Sequence, residues 1–108
     1  MERELKKILK FIEKANKAKI IEKEVSEEEI QRMLKKKNLQ LFNAKVKDEE
    51  IKLAYASALI AFFEKTNIAK SLKNEIIARV AKERNVSEAI SKFGAKPGKV
   101  KLLILDKS

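Results

Sequence analysis

Positively charged side chains are the residues of this chain whose types and spacing could do chemistry, and they concentrate after residue 50. Residues 51–108 carry 12 Lys and Arg against 5 Asp and Glu, a net charge of +7, whereas residues 1–50 carry 14 against 11, a net charge of +3. Such a surplus favours binding to the phosphates of a polyanion such as RNA. The composition leaves one alternative open, a lysine-rich surface of the thermophile type with no ligand. The cations of interest are Lys70, Lys73, Arg79, Lys82, Arg84, Lys92, Lys96 and Lys99.

Two arginines and a lysine of this set have positions that suggest a role. Arg79 lies seven residues after Leu72, so its side chain starts near the apolar side of a predicted helix. An arginine there must either pair internally or point into a functional groove. Arg84 follows in the turn after this helix and could reach the same place. Lys70 is predicted in the first turn of the helix, where backbone amides add affinity for anions.

The sequence contains no set of residues that fits a common catalytic centre. It has neither cysteine nor histidine, which excludes disulfides, zinc sites of the usual ligand type and nucleophiles activated by histidine. Gly94 and Gly98 are its only glycines, so a glycine-rich phosphate-binding loop is absent. The acidic runs Glu27–Glu29 and Asp48–Glu50 stand where helices are predicted to begin, and capping explains them better than metal binding. We therefore predict a protein that is not an enzyme and that uses no metal, cofactor or small-molecule substrate.

The periodicity of apolar residues predicts a single α+β domain spanning residues 1–108. Leu5, Ile8, Leu9 and Ile12 follow the spacing of an amphipathic helix. Since helices and strands do not alternate regularly, their order predicts a small β-sheet covered by several helices. The predicted helices span residues 2–16, 26–37, 49–65, about 69–81 and 86–93, and the predicted strands span residues 18–25, 39–46 and 100–105.

Local signals predict where some of these elements begin or end. Ser26 and Glu29 have the spacing of a capping box, and Asp48 is predicted to cap the next helix. Asn43 lies within an otherwise apolar strand, where we expect it to anchor a nearby loop rather than to bind a ligand. Lys96–Lys99 is predicted as a type II turn, with proline and then glycine at its centre.

The sequence also predicts where the protein acts. No apolar run approaches the roughly 18 residues that a membrane span needs. The N-terminus has no apolar core of the signal-peptide kind. We therefore expect a cytoplasmic protein with no membrane partner.

A set of short motifs between residues 39 and 105 has a specific order and spacing. The motifs are Leu41-Phe42-Asn43-Ala44, Ala61-Phe62, Asn67-Ile68-Ala69-Lys70-Ser71-Leu72, Glu75-Ile76-Ile77, Arg84, Val86-Ser87-Glu88-Ala89-Ile90 and Gly94-Ala95-Lys96. Together they resemble the small KEOPS-complex subunit that docks on the complex's atypical kinase, the PRPK-binding-protein family, as an archaeal-type member. Residues 1–25 form a divergent N-terminal region that is unlike the opening strand of this family. Lys82-Glu83 and Asn85 also differ from the glycine and glutamine that the family usually has there.

The resemblance implies a non-catalytic subunit of the complex that makes N6-threonylcarbamoyladenosine in tRNA. Such a subunit binds and stimulates the kinase, which acts as an ATPase, and recruits tRNA through its single-stranded 3′ CCA end. With few aromatic residues available, arginine planes and aliphatic side chains are expected to stack on the bases. The sequence does not identify the kinase-binding surface. The expected tRNA-binding residues are Asn67, Lys70, Ser71, Arg79, Arg84 and Lys96.

A purely protein-binding adaptor remains the alternative. Its positive charge would be surface chemistry only. It would bind tRNA weakly, with a steep dependence on salt and no preference for the 3′ end.

Overall fold

The computed structural model describes residues 2–82, 85, 87–88, 90 and 94–105, and these residues form the predicted α+β domain. Most of the helix predicted over residues 86–93 lies outside the described residues. None of the described helices is both long and apolar enough to cross a membrane. The helices are α1 (Glu2–Asn16), α2 (Glu27–Leu34), α3 (Asp48–Glu64) and α4 (Leu72–Ala81), and the strands are β1 (Lys19–Val25), β2 (Leu39–Asn43) and β3 (Gly98–Ile104).

The last strand, β3, is the centre of an antiparallel sheet with the order β1-β3-β2. β1 pairs with β3 along its whole length, and β2 pairs with residues 100–104 of β3. The first residue of β3, Gly98, has a φ of 118°, a backbone conformation that residues other than glycine rarely adopt. This conformation agrees with the glycine position of the predicted turn.

Helices cover both faces of the sheet. On one face Phe42 and Leu103 pack with residues of α3 and α4 such as Ile76. On the other face Leu41 packs with Ile30 of α2. Since neighbouring strand residues point to opposite faces, an apolar run such as the one in β2 indicates a strand covered on both sides, as predicted.

The predicted cap of α2 and the predicted role of Asn43 are both confirmed. Ser26 Oγ accepts a hydrogen bond from the Glu29 amide, and the Glu29 carboxylate accepts one from the Ser26 amide, each at 3.2 Å. Asn43 Oδ1 accepts a hydrogen bond from the Lys45 amide at 3.0 Å. This contact turns the chain at the end of β2, which is why the strand ends before residue 46. α2 likewise ends at Leu34, earlier than the predicted residue 37.

The prediction that Asp48 caps α3 is wrong. Lys47 occupies the cap position and makes no side-chain hydrogen bond there, while Asp48 is the first helical residue. The Asp48 carboxylate instead pairs with Lys101 Nζ at 2.8 Å. Lys101 Nζ also donates to the Val46 carbonyl at 2.7 Å. This lysine of β3 therefore holds the loop that leads into α3.

The predicted helix over residues 2–16 is confirmed as α1, but most of its apolar stripe is exposed. α1 packs mainly against α3, with Ala15 buried and the Phe11 ring against Phe63 at a centroid distance of 5.7 Å. Leu5, Leu9 and Ile12 are 60%, 56% and 39% exposed. Amphipathic spacing therefore predicts the helix correctly without predicting what covers it.

Candidate nucleic-acid interface

An open groove of about 790 Å³ lies between α3 and α4. Its volume is within the range of roughly 300–1,000 Å³ that is usual for ligand sites. α3 supplies one wall, and α4 with the segment before it supplies the other. The lining residues are Glu50, Leu53, Ala54, Ser57, Thr66, Ile68, Ala78, Arg79, Val80 and Lys82.

The lining combines positive charge with exposed aliphatic surface. Arg79 and Lys82 supply the cations, whereas Leu53 and Ile68 are large apolar residues that remain exposed. Glu50 adds one negative charge to the lining. A groove of this kind can bind a phosphate with its cations and the face of a flat ring with its aliphatic walls.

The carboxylate of Glu75 holds one wall of the groove together. Glu75 is fully buried, and its Oε1 accepts hydrogen bonds from the amides of Ile68 at 2.9 Å and Ala69 at 2.7 Å. Its Oε2 accepts a hydrogen bond from Arg79 Nε at 2.9 Å. A buried carboxylate is costly unless it is hydrogen-bonded and paired, and these three donors meet that requirement. One side chain therefore fixes both the segment before α4 and the arginine that lines the groove.

Arg79 combines the two roles that its sequence position allowed. It pairs internally with Glu75, while one-third of its side chain remains exposed and the residue lines the groove. The pairing offsets much of its charge, so the groove is less basic than the sequence predicted. The spacing of Glu75 and Arg79, four residues apart on a helix, was the sequence signal for this pair.

Polar side chains in the segment before α4 form local hydrogen bonds with the backbone. Asn67 Nδ2 donates to the Ala69 carbonyl at 2.8 Å. Ser71 is the N-cap of α4, and its hydroxyl accepts a hydrogen bond from the Asn74 amide at 3.2 Å. Lys70 is exposed and precedes this cap, so its predicted place in the first turn of the helix is wrong. In the first turn of α4, the Asn74 amide is therefore bonded to the protein's own hydroxyl group rather than left for an anion.

The groove therefore contains only part of the predicted tRNA-binding set. Of the six predicted residues, Arg79 alone is among the described residues that line it. Lys96 is exposed in the segment before β3 and lies outside the lining, and Arg84 lies outside the described residues. Lys82 lines the groove, although the sequence placed it only among the general cations. Thr66, also in the lining, gave no signal in the sequence because its place depends on how α3 and α4 pack.

Lys82 has a matched counterpart at the end of α3. Lys82 ends α4 in the left-handed conformation, with φ 55° and ψ 42°, and its amide donates to carbonyls of the last turn. Lys65 ends α3 in the same conformation, with φ 60° and ψ 34°. Both are exposed, but only Lys82 is in the lining of the groove. The two lysines therefore allow the same substitution inside and outside the site.

A second polar contact joins α4 to the rest of the domain. Lys73 Nζ donates to the carbonyls of Leu34 at 3.0 Å and Lys36 at 2.9 Å, at the C-terminal end of α2. Burial lowers the pKa of the Lys73 ammonium below its ordinary value. The buried Gln40 donates to the Lys73 carbonyl at 2.7 Å. These contacts fix the side of α4 that faces away from the groove.

Within the part of the chain that the structure describes, no cluster of acidic residues could hold a metal ion.

No family model matches this chain, and no curated protein matches it significantly. The resemblance of residues 39–105 to the PRPK-binding-protein family therefore stays a prediction from motifs.

Proposed function

We propose that this chain is a non-catalytic, tRNA-binding subunit of a KEOPS-type assembly in the cytoplasm, and that the groove between α3 and α4 takes an unpaired nucleotide of the tRNA 3′ end. The observation that carries the proposal is that Arg79 and Lys82 share one groove with the exposed aliphatic residues Leu53 and Ile68. Single-stranded RNA is bound by proteins through phosphate contacts together with surfaces on which bases stack. The groove offers both.

The arginine would do more than supply charge. Because Nε is held by Glu75, the guanidinium plane is fixed before a ligand arrives, which reduces the entropy lost on binding. A planar guanidinium can bind a phosphate through two hydrogen bonds or stack on a base. Lys82 adds a compact charge, and the hydroxyls of Ser57 and Thr66 can bond to base edges or to a ribose 2′-hydroxyl.

The second half of the proposal is that the chain binds and stimulates an atypical kinase on a surface separate from the groove. This half is implied by the family resemblance. If the two surfaces are separate, a substitution in the groove reduces tRNA binding and leaves kinase binding intact. Equal loss of both activities would contradict the two-surface arrangement.

The first experiment compares the binding of intact tRNA with that of the same tRNA lacking its CCA end, at two salt concentrations. We expect trimming to remove most of the affinity. Equal binding of both RNAs, with a collapse at the higher salt concentration, would instead favour the purely protein-binding adaptor.

The groove itself is tested by the matched pair Lys82→Asn and Lys65→Asn. Asparagine tolerates the left-handed conformation of both positions, so each change removes one charge with the same demand on the backbone. We expect Lys82→Asn to weaken tRNA binding and to reduce the slope of log affinity against log salt by about 1. Lys65→Asn should leave the slope unchanged. Identical effects of both substitutions would show that the positive charge acts without a specific site.

A further inference from the structure

The groove between α3 and α4 contains a carboxylate that phosphate binding does not explain. Glu50 is exposed and lines the groove together with Arg79 and Lys82. Within the part of the chain that the structure describes, its side chain forms neither an ion pair nor a hydrogen bond. A negative charge in the first turn of a helix suits the helix dipole, but this explanation applies equally to Glu49. Glu49 is exposed in the same turn and lies outside the lining, so the place of Glu50 in the groove distinguishes the two.

Glu50 lies at one end of the groove. Ile68 and Arg79 lie close together because both donate hydrogen bonds to the carboxylate of Glu75, and Ile68 comes after the C-terminal end of α3. Glu50 is in the first turn of α3. Even Ser57, in the middle of that helix, lies about 10 Å from Glu50 along the helix axis. The lining therefore runs from Ile68 and Arg79 at one end to Glu50 at the other.

A carboxylate at this position limits which part of an RNA strand can lie beside it. In the interior of a strand, each ribose has a phosphate on both sides, and a phosphate next to Glu50 would be repelled by the like charge. The last nucleotide of a strand has a phosphate only on the 5′ side of its ribose, and it has free 2′- and 3′-hydroxyl groups on the other side. A carboxylate is a strong acceptor for such hydroxyl groups. The charges of the groove therefore fit the 3′ end of a strand better than its interior.

We propose that Glu50 accepts hydrogen bonds from the free 2′- and 3′-hydroxyl groups of a terminal ribose. The phosphate on the 5′ side of this ribose lies at Arg79 and Lys82, and the base lies against the aliphatic wall that includes Leu53. Dinucleotide-binding proteins hold a ribose hydroxyl with a carboxylate in the same way. This inference rests on the proposed function, because it takes the groove to bind RNA, and it adds a physical reason for selection of the 3′ end.

The test compares three forms of one tRNA, which end in a ribose with both hydroxyl groups, in a 2′-deoxyribose or in a 3′-phosphate. Relative to the first form, we expect the unchanged chain to bind the 2′-deoxy form about three-fold and the 3′-phosphate form about ten-fold more weakly. In Glu50→Ala both differences should disappear, because neither the acceptor nor the repelling charge remains. Glu49→Ala removes the same charge from the same helix turn, outside the groove, and should keep both differences. Ratios are compared because loss of any carboxylate raises the affinity of the chain for every RNA.

Several results would overturn the inference. If the three forms bind equally, or if their differences persist in Glu50→Ala, Glu50 does not hold the terminal ribose. If Glu49→Ala also loses the differences, they come from the charge of the helix start. In each of these cases Lys82→Asn should still weaken tRNA binding if the groove binds RNA. Failure of this inference is thereby distinguished from failure of the proposed function.

Adenosine 5′-monophosphate distinguishes an RNA end from a free ribonucleotide, because it has the same hydroxyl groups and the same 5′-phosphate without the strand. We expect it to compete with tRNA only weakly, since it lacks the contacts of the preceding nucleotides. Binding as tight as that of tRNA, with dependence on Glu50 and Lys82, would assign the groove to a free ribonucleotide. The role of Glu50 would then stand and the RNA-binding function would fail. If neither ligand binds, both proposals fail.

Discussion

α1 and α4 are both predicted from the spacing of their apolar residues, but these residues have opposite environments in the structure. In α4 the apolar residues Ile76 and Ile77 are fully buried, whereas in α1 Leu5 and Leu9 are more than half exposed. α4 packs against both α3 and β2, while α1 packs mainly against α3. The comparison shows that periodicity predicts a helix and its apolar face. The neighbouring elements decide whether this face stabilises the fold or stays exposed to solvent.

The largest effect is expected from truncating the buried face of α4. Ile76→Ala removes a fully buried side chain from the core between the helices and the sheet. Such changes lower the free energy of unfolding by about 2–5 kcal/mol. Urea unfolding followed by circular dichroism measures this loss. A loss below about 1 kcal/mol, the usual effect of an average substitution, would mean that α4 is not packed as described.

The buried carboxylate of α4 should have the next largest effect. Glu75→Gln keeps the shape of the side chain but replaces an acceptor with an NH₂ group that faces N–H donors, and it leaves Arg79 without its charged partner. We expect the free energy of unfolding to fall by about 2–3 kcal/mol. The tRNA affinity should fall as well, because Arg79 is no longer fixed in the groove. Glu64→Gln, at the exposed end of α3, is the control and should change neither quantity. If Glu75→Gln also changes neither, the carboxylate of Glu75 does not hold the groove together.

The sequence predicted the elements of this domain better than it predicted the groove. The bounds of α1 and the cap at Ser26 follow from local spacing, which a single segment contains. Glu75 was not predicted as a functional residue, because its burial depends on Ile68 and Ala69 folding back onto α4. Lys70 was placed wrongly because the hydroxyl of the next residue, rather than apolar periodicity, sets the start of the helix. Sites built from contacts between distant segments leave little trace in local patterns.

A smaller effect is expected at Lys73, on the side of α4 that faces α2. Lys73→Met keeps most of the aliphatic chain and removes the two hydrogen bonds to the end of α2, so the free energy of unfolding should fall by about 1 kcal/mol. Lys70→Met changes an exposed lysine nearby and is the control. A control that loses as much stability as Lys73→Met would show that the contact with α2 contributes nothing.

The contribution of Lys73 should also change with pH. Burial lowers the pKa of Lys73 from its ordinary value of 10.5 in the folded chain, so the folded chain releases this proton before the unfolded chain does. Stability rises with pH wherever the unfolded state binds more protons. The free energy of unfolding of the unchanged chain, relative to Lys73→Met, should therefore increase as the pH rises through the window just below 10.5. A difference that stays constant or falls in this window would contradict the assigned direction.

The smallest effect is expected at Leu9, and it bears most directly on the comparison of the two helices. Leu9→Ala makes the same kind of truncation as Ile76→Ala, but the removed atoms already contact water, and alanine is the better helix former. The free energy of unfolding should change by less than about 0.5 kcal/mol. If Leu9→Ala instead costs as much stability as Ile76→Ala, the α1 stripe is covered in the free protein. The stripe would then belong to the core, and the difference between α1 and α4 would disappear.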